Sequence, residues 1–195
     1  MTRISFLLLF LVSISLNAQN NAIGFGEKLT YTASYNMSGI LTDLAEVTME
    51  TSAVKTSKTT LLRLKCKATT YSKWDNFFKI RDLYESYVNP KTLKPYLYNR
   101  DINEGGYYKN MKYTFSHKTK TVKTVQRKKS NWVQKKTVPI GADTKDIIST
   151  LYTIRTFDLT NLSSGTSKDF TILFDREEIK AKVTYLGKET ISTAL

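Results

Sequence analysis

Apolar and polar residues alternate along most of this chain, and the period of two predicts strands with one face on a core. Leu29, Tyr31, Ala33 and Tyr35 alternate with Lys28, Thr30, Thr32 and Ser34. Ala45, Val47 and Met49 alternate with glutamates and a threonine, and Leu62, Leu64, Cys66 and Ala68 with Arg63, Lys65 and Lys67. Met111, Tyr113 and Phe115 share a face opposite Lys112, Thr114 and Ser116. Near the end, Phe170, Ile172 and Phe174 alternate, and so do Ile179, Ala181, Val183 and Tyr185. Asp175-Arg176-Glu177 between those runs predicts a tight hairpin, and Asn89-Pro90-Lys91 and Glu104-Gly105-Gly106 predict further turns.

One stretch breaks the period. From Asp143 to Asp158, Ile147, Ile148, Leu151, Tyr152 and Arg155 recur at helical spacing. Asp143 or Thr144 is placed to cap this helix, with Asp146 in its first turn, where an acid suits the dipole. The expected fold is therefore mainly β. It is a curled antiparallel sheet, a half-barrel or open barrel, with one amphipathic helix near 143–158 whose apolar stripe packs on the sheet.

The N-terminus changes the picture of where this fold works. Arg3 precedes the apolar run Ile4 to Leu16, and Ala18 supplies a small residue at a cleavage point. The run is shorter than the roughly 20 residues that span a bilayer, so residues 1–18 read as a signal peptide. No cysteine follows it, which argues against a lipoprotein. The expectation is a soluble periplasmic or outer-envelope protein with one β-rich domain over 19–195 and no transmembrane segment after cleavage. Cys66 is the single cysteine, so an internal disulfide and thiol-based zinc sites are excluded. Its phase puts it on the core face as a small buried hydrophobe.

Candidate chemistry is sparse. There is no nucleophile elbow, and His117, the single histidine, lies in phase with Phe115 as a structural or turn residue. No calcium loop or histidine-rich metal site is present, and no cofactor is expected. Asp75, Asp82, Glu85, Asp101 and Glu104 leave open a glycan hydrolase with paired carboxylates. Asp82 and Glu85, however, have opposite strand parity and leave opposite faces.

Charge is the more distinctive feature. The formal net charge is +13, and no acidic residue occurs from Gly105 to Ala142. A hairpin of 121–125 and 132–138 with its tip at 127–131 would gather Lys120, Lys123, Arg127, Lys128, Lys129 and Lys135 into a positive face. Such a face suits lipid headgroups, lipopolysaccharide phosphates or acidic glycan. It equally suits a solvated lysine-rich surface that blunts edge pairing. Export argues against nucleic acid. Trp74, Phe77, Phe78, Tyr84, Tyr96 and Tyr98 either line an apolar ligand pocket or form the core under the helix.

Four segments carry a resemblance. Gly26 to Tyr31 (GEKLTY), Arg81 to Tyr87 (RDLYESY), Asp146 to Arg155 (DIISTLYTIR) and Tyr185 to Glu189 (YLGKE) occur in an order that resembles a family of exported bacterial proteins of unknown function, DUF3108. The leader and the Lys/Asn/Thr-rich composition are similar to those of Bacteroidetes envelope proteins. The resemblance implies family membership and carries over no catalytic residue. Members of that family run on through further strands, so the C-terminal strands are expected to be missing here. A looser similarity to periplasmic lipoprotein carriers, which lay helix on a concave sheet, raises the case for an apolar ligand. The leading expectation is a non-enzymatic protein that binds a lipidic or anionic envelope component. The alternatives are a glycan hydrolase and a purely structural domain that pairs through its edge strands.

Overall fold

The computed structural model describes residues 22–129 and 132–190. The leader at 1–18, part of the basic hairpin tip, and Ile191 to Leu195 with the expected missing strands lie outside the described residues. Eight strands form a continuous meander: β1 (Lys28–Met37), β2 (Ile40–Lys55), β3 (Thr60–Thr70), β4 (Arg81–Val88), β5 (Pro95–Glu104), β6 (Tyr107–Ser116), β7 (Thr121–Lys128) and β8 (Val133–Pro139). Each pairs antiparallel with its sequence neighbours, so β1 and β8 are the two edges of an open sheet, which does not close into a barrel. The helix α1 (Ile147–Ile154) and a separate hairpin of β9 (Ser167–Phe174) and β10 (Glu177–Thr184) follow.

The alternation read from the sequence sets which face is buried in β3 to β7, whereas in β1 Tyr31 and Tyr35 of the expected core face are exposed. Register places Leu29, Met49, Cys66 and Tyr84 in one row across β1 to β4, and Tyr98, Tyr113 and Thr124 in another across β5 to β7. On this inner face Leu64, Val88, Tyr98, Met111, Tyr113 and Val122 form one cluster with Ile148 and Tyr152 of α1 and Leu173 of β9. Each large side chain so buried contributes about 2 kcal/mol of transfer free energy, which holds helix and hairpin on the sheet. The outer face is polar. Lys65 bridges to Glu50 at 3.0 Å, and Arg63 pairs with Glu85. Asp82 is buried on the inner face, so the two acids do leave opposite sides. Cys66 packs against the core, and burial pushes its thiol pKa up.

The helix differs from expectation in its cap and in its buried side. Asp146, not Asp143 or Thr144, is the N-cap, and its Oδ1 accepts the Ser149 N–H at 2.8 Å. The buried residues are Ile148, Ser149, Thr150 and Tyr152, whereas Leu151 is 44% exposed. Polar residues can line the buried side because the Ser149 and Thr150 hydroxyls donate to the Asp146 carbonyl, leaving no unmet donor.

The β9–β10 turn is strained and then anchored. Asp175 and Arg176 both take positive φ (44° and 75°), a conformation costing a non-glycine residue about 1 kcal/mol or more. Contacts with the sheet offset this cost. Asp175 pairs with Arg100 and, at 2.9 Å, with Lys109, and the Arg176 N–H donates to the Tyr113 hydroxyl at 3.1 Å. Burial tends to raise the Asp175 pKa, but Lys109 and Arg100 together hold it below the usual carboxylate value. A carboxylate with a lowered folded pKa stabilises the fold above its unfolded pKa, and that stability is lost as pH falls through the folded pKa. The melting midpoint is therefore expected to fall less steeply from about pH 5 to pH 3 in Asp175→Asn than in wild type. Parallel slopes in a thermal-melt series would remove this role for the turn.

Candidate functional site

A groove of about 670 Å3 lies between the segment after α1 and the open end of the β9–β10 hairpin. Its construction begins at the helix C-terminus, where Arg155 pairs with Glu27 at 2.7 Å and lies over the Tyr152 ring. The chain then turns, and the Phe157 ring stacks on Phe170 with centroids 5.8 Å apart. Residues 158–166 return to the hairpin, where the Gly165 N–H donates to the Tyr185 carbonyl and the Tyr185 N–H to that of Thr166, both at 2.8 Å. These bonds hold the loop beside the strand ends and leave Ile154, Phe157, Leu159, Leu162, Val183 and Leu186 along the groove. Lys168 lies at the same groove, its ammonium 4.2 Å from the centre of the Phe157 ring. The arrangement is a largely apolar trough with one cation, Lys168, and one carboxylate, Asp158, and its volume lies within the range of roughly 300–1,000 Å3 usual for ligand pockets.

The six aromatic residues expected to act together are spread over the molecule and do not gather at one place. Trp74 and Phe77 belong to the β3–β4 connection, with rings 5.9 Å apart, and the Trp74 Nε1–H donates to the Asp43 carbonyl at 2.8 Å. Phe78 lies over the β5–β6 turn so closely that a Cβ on Gly105 would sit 2.8 Å from its ring. Tyr84 lines a small polar cup on the inner face. Tyr98 is core, beside Tyr113, and Tyr96 is exposed at the β5 bulge, edge-on to His117. None of the six lines the groove. Its apolar residues fall in and beside a loop without periodicity, so neither strand nor helix patterning singles them out.

The basic hairpin forms as β7 and β8. Lys123, Arg127 and Lys135, with Lys112 of β6, are exposed and share the outer face by register. Among the described residues none of these four has an ion-pair partner within 4.0 Å. Lys128 has the opposite parity and lies over the Trp132 ring at 5.3 Å. Lys129 is in the turn beyond β7, and Lys120 is at the other end of the strand, in the β6–β7 connection. The groove is lined by the post-helix loop and the β9–β10 hairpin and by no residue of β7 or β8, so the outer basic face and the groove share no residue.

His117 is held as a structural residue. Its Nε2 is 2.7 Å from the Pro95 carbonyl, and its ring stacks on Phe115. Among the described residues no group of three or more His, Cys, Asp or Glu side chains is placed to hold a metal ion. No described helix is long and apolar enough to cross a membrane.

A β meander covered by one helix and a second hairpin, with an apolar groove, defines a β-sheet protein by architecture alone. The model of the family described as protein of unknown function (DUF3108) matches residues 30–195, and the chain belongs to that family. No curated protein and no solved structure matches it.

Proposed function

We propose that this is an exported envelope protein that binds, without chemical transformation, an envelope component carrying an acyl chain. The groove between the post-helix loop and the β9–β10 hairpin carries the reading. Its apolar walls suit a hydrocarbon chain, and Lys168 at the groove suits an acidic headgroup. The unpaired cations on the outer face would draw the protein toward anionic lipid or lipopolysaccharide, an effect that weakens with salt. The inner face, curling over helix and hairpin like a half-barrel, would serve as scaffold for the groove. Hydrolysis of a glycan fits less well. Such chemistry places two carboxylates roughly 5–10 Å apart around the sugar. Asp82, on the inner face with Glu104, is buried and already accepts the Asn103 N–H at 2.9 Å.

Native mass spectrometry of protein purified from the periplasm tests the reading. Wild type is expected to carry one acyl-containing molecule per chain. Leu159 is 47% exposed, so Leu159→Glu should leave folding intact while cutting ligand occupancy at least tenfold. An apo mass for wild type, or equal occupancy in the variant, would overturn it.

A further inference from the structure

A second concavity, of about 270 Å3, lies on the inner face at the other end of the β9–β10 hairpin from the groove. Three rows of side chains form its base. Tyr84, Arg100 and Met111 are partners across β4, β5 and β6. Two residues further along, Ile102 pairs with Lys109, and Asp82 stands on the other side of Ile102 because its neighbour Leu83 pairs with Asp101. Next, Glu104 pairs with Tyr107 on one side and bridges to Ile80 on the other. Phe174 and Asp175 at the hairpin tip complete the cup.

Its lining carries both signs of charge, unevenly paired. On one side the Arg100 and Lys109 side chains are only 7% and 12% exposed, yet they share a single Asp175 oxygen. Arg100 Nε is buried with no hydrogen-bond partner. On the other side Glu104 lines the cup, while Asp82, buried on β4, lies outside the lining and accepts the Asn103 N–H at 2.9 Å; neither carboxylate has a lysine or arginine within ion-pair distance among the described residues. Burial first, and then Asp82, raises the Glu104 pKa, as expected of a carboxylate pair lacking a cation. The floor between the sides, Ile102, is apolar and 7% exposed. Charged groups so deeply placed are ordinarily paired. Glu104 therefore lacks a cation, while Arg100 and Lys109 have one carboxylate between them.

We propose that this cup binds a small zwitterion of the phosphoethanolamine type, with its ammonium toward Glu104 and its phosphate toward Arg100 and Lys109. Four residues along β5, about 13 Å, separate the backbones that carry Arg100 and Glu104. An α-amino acid holds its charges on adjacent carbons and spans that gap poorly, whereas a phosphate and an amine two carbons apart reach further across it. Tyr84 and Tyr107 lie beside the ammonium position, where aromatic faces favour a cation. The site is separate from the groove and does not depend on what the groove holds.

Calorimetric titration of the purified protein with O-phosphoethanolamine, ethanolamine and inorganic phosphate tests the proposal. Phosphoethanolamine is expected to bind at least tenfold more tightly than either fragment. Glu104→Gln, nearly isosteric, and Lys109→Met should each weaken it tenfold or more, while Leu159→Glu leaves it unchanged. Circular dichroism melts of each variant establish that it is folded. Tyr107→Ala, at a 49% exposed position, provides a variant with little risk to folding and should weaken binding severalfold. Vesicles containing phosphatidylethanolamine, compared with phosphatidylcholine vesicles, distinguish a lipid headgroup from the free compound as the source. Absence of binding to both the free compound and the vesicles would overturn the proposal. So would equal affinity for one fragment alone, or unchanged affinity in folded Glu104→Gln.

Discussion

Replacing Tyr113 by alanine is expected to destabilise the fold by about 3–5 kcal/mol, read as a lower urea midpoint with little change in slope. Tyr113 is 1% exposed in the middle of β6, and its ring centre lies 5.5 Å from that of Tyr98. Truncation would open a cavity where sheet, helix and hairpin meet, because these elements share one apolar cluster. It would also strip the acceptor from the Arg176 N–H, a donor held in a strained turn. Tyr113→Phe separates the two effects. It keeps the ring and loses only the hydroxyl, so it should cost about 1 kcal/mol. A loss below about 1 kcal/mol for the alanine variant would show that the site collapses and that Tyr113 does not join hairpin to sheet.

Asp146→Ala is expected to cost about 2–4 kcal/mol, the sum of a lost helix cap and a stranded buried hydroxyl. The Asp146 carboxylate is fully buried and does two jobs. Oδ1 caps α1 through the Ser149 N–H, and Oδ2 accepts the Ser86 hydroxyl at 2.6 Å, tying helix to β4. Burial raises its pKa, partly countered by the bonds from Ser86 and Ser149. With the folded value raised, this residue's contribution to stability diminishes as pH climbs through the unfolded value toward the folded one. Asp146→Asn keeps one acceptor for the cap and turns an NH2 donor toward Ser86, whose hydroxyl can rotate to accept, so it should cost less than alanine and flatten that dependence. A double-mutant cycle with Ser86→Ala measures the tie itself. A coupling energy near zero would mean that the helix is placed by packing alone.

The meander was legible because period two is a local property, and each strand that read as alternating does form. The turns at 105–106 and 175–176 were legible for a similar reason, since hairpin connections carry their own residue chemistry. Leu173 was less so. It is 1% exposed, yet its parity is opposite to Phe170, which is also buried. A hairpin packed on one side by the sheet and on the other by the returning loop buries both faces, and alternation no longer separates inside from outside. The helix cap was misplaced for a related reason. Asp146 gains its importance from Ser86, 60 residues away, and no window on the sequence contains both. The cup is less legible still. Its residues come from β4, β5, β6 and the β9–β10 turn, and each reads singly as an ordinary charge or tyrosine on a strand.

The order of the chain also sets the order in which its parts can assemble. Every pairing in the eight-stranded sheet joins sequence neighbours, so the meander can zip up hairpin by hairpin at low loop-closure cost. The cover comes last and is tied down over long spans: Ser86 to Asp146, Arg100 to Asp175 and Glu27 to Arg155, the last 128 residues apart. Until α1 and the hairpin have emerged, a wide apolar face stands bare beside two unpaired sheet edges. That intermediate is the kind of species that aggregates, and a holding chaperone that shields it would govern the yield of folded protein more than its final stability does.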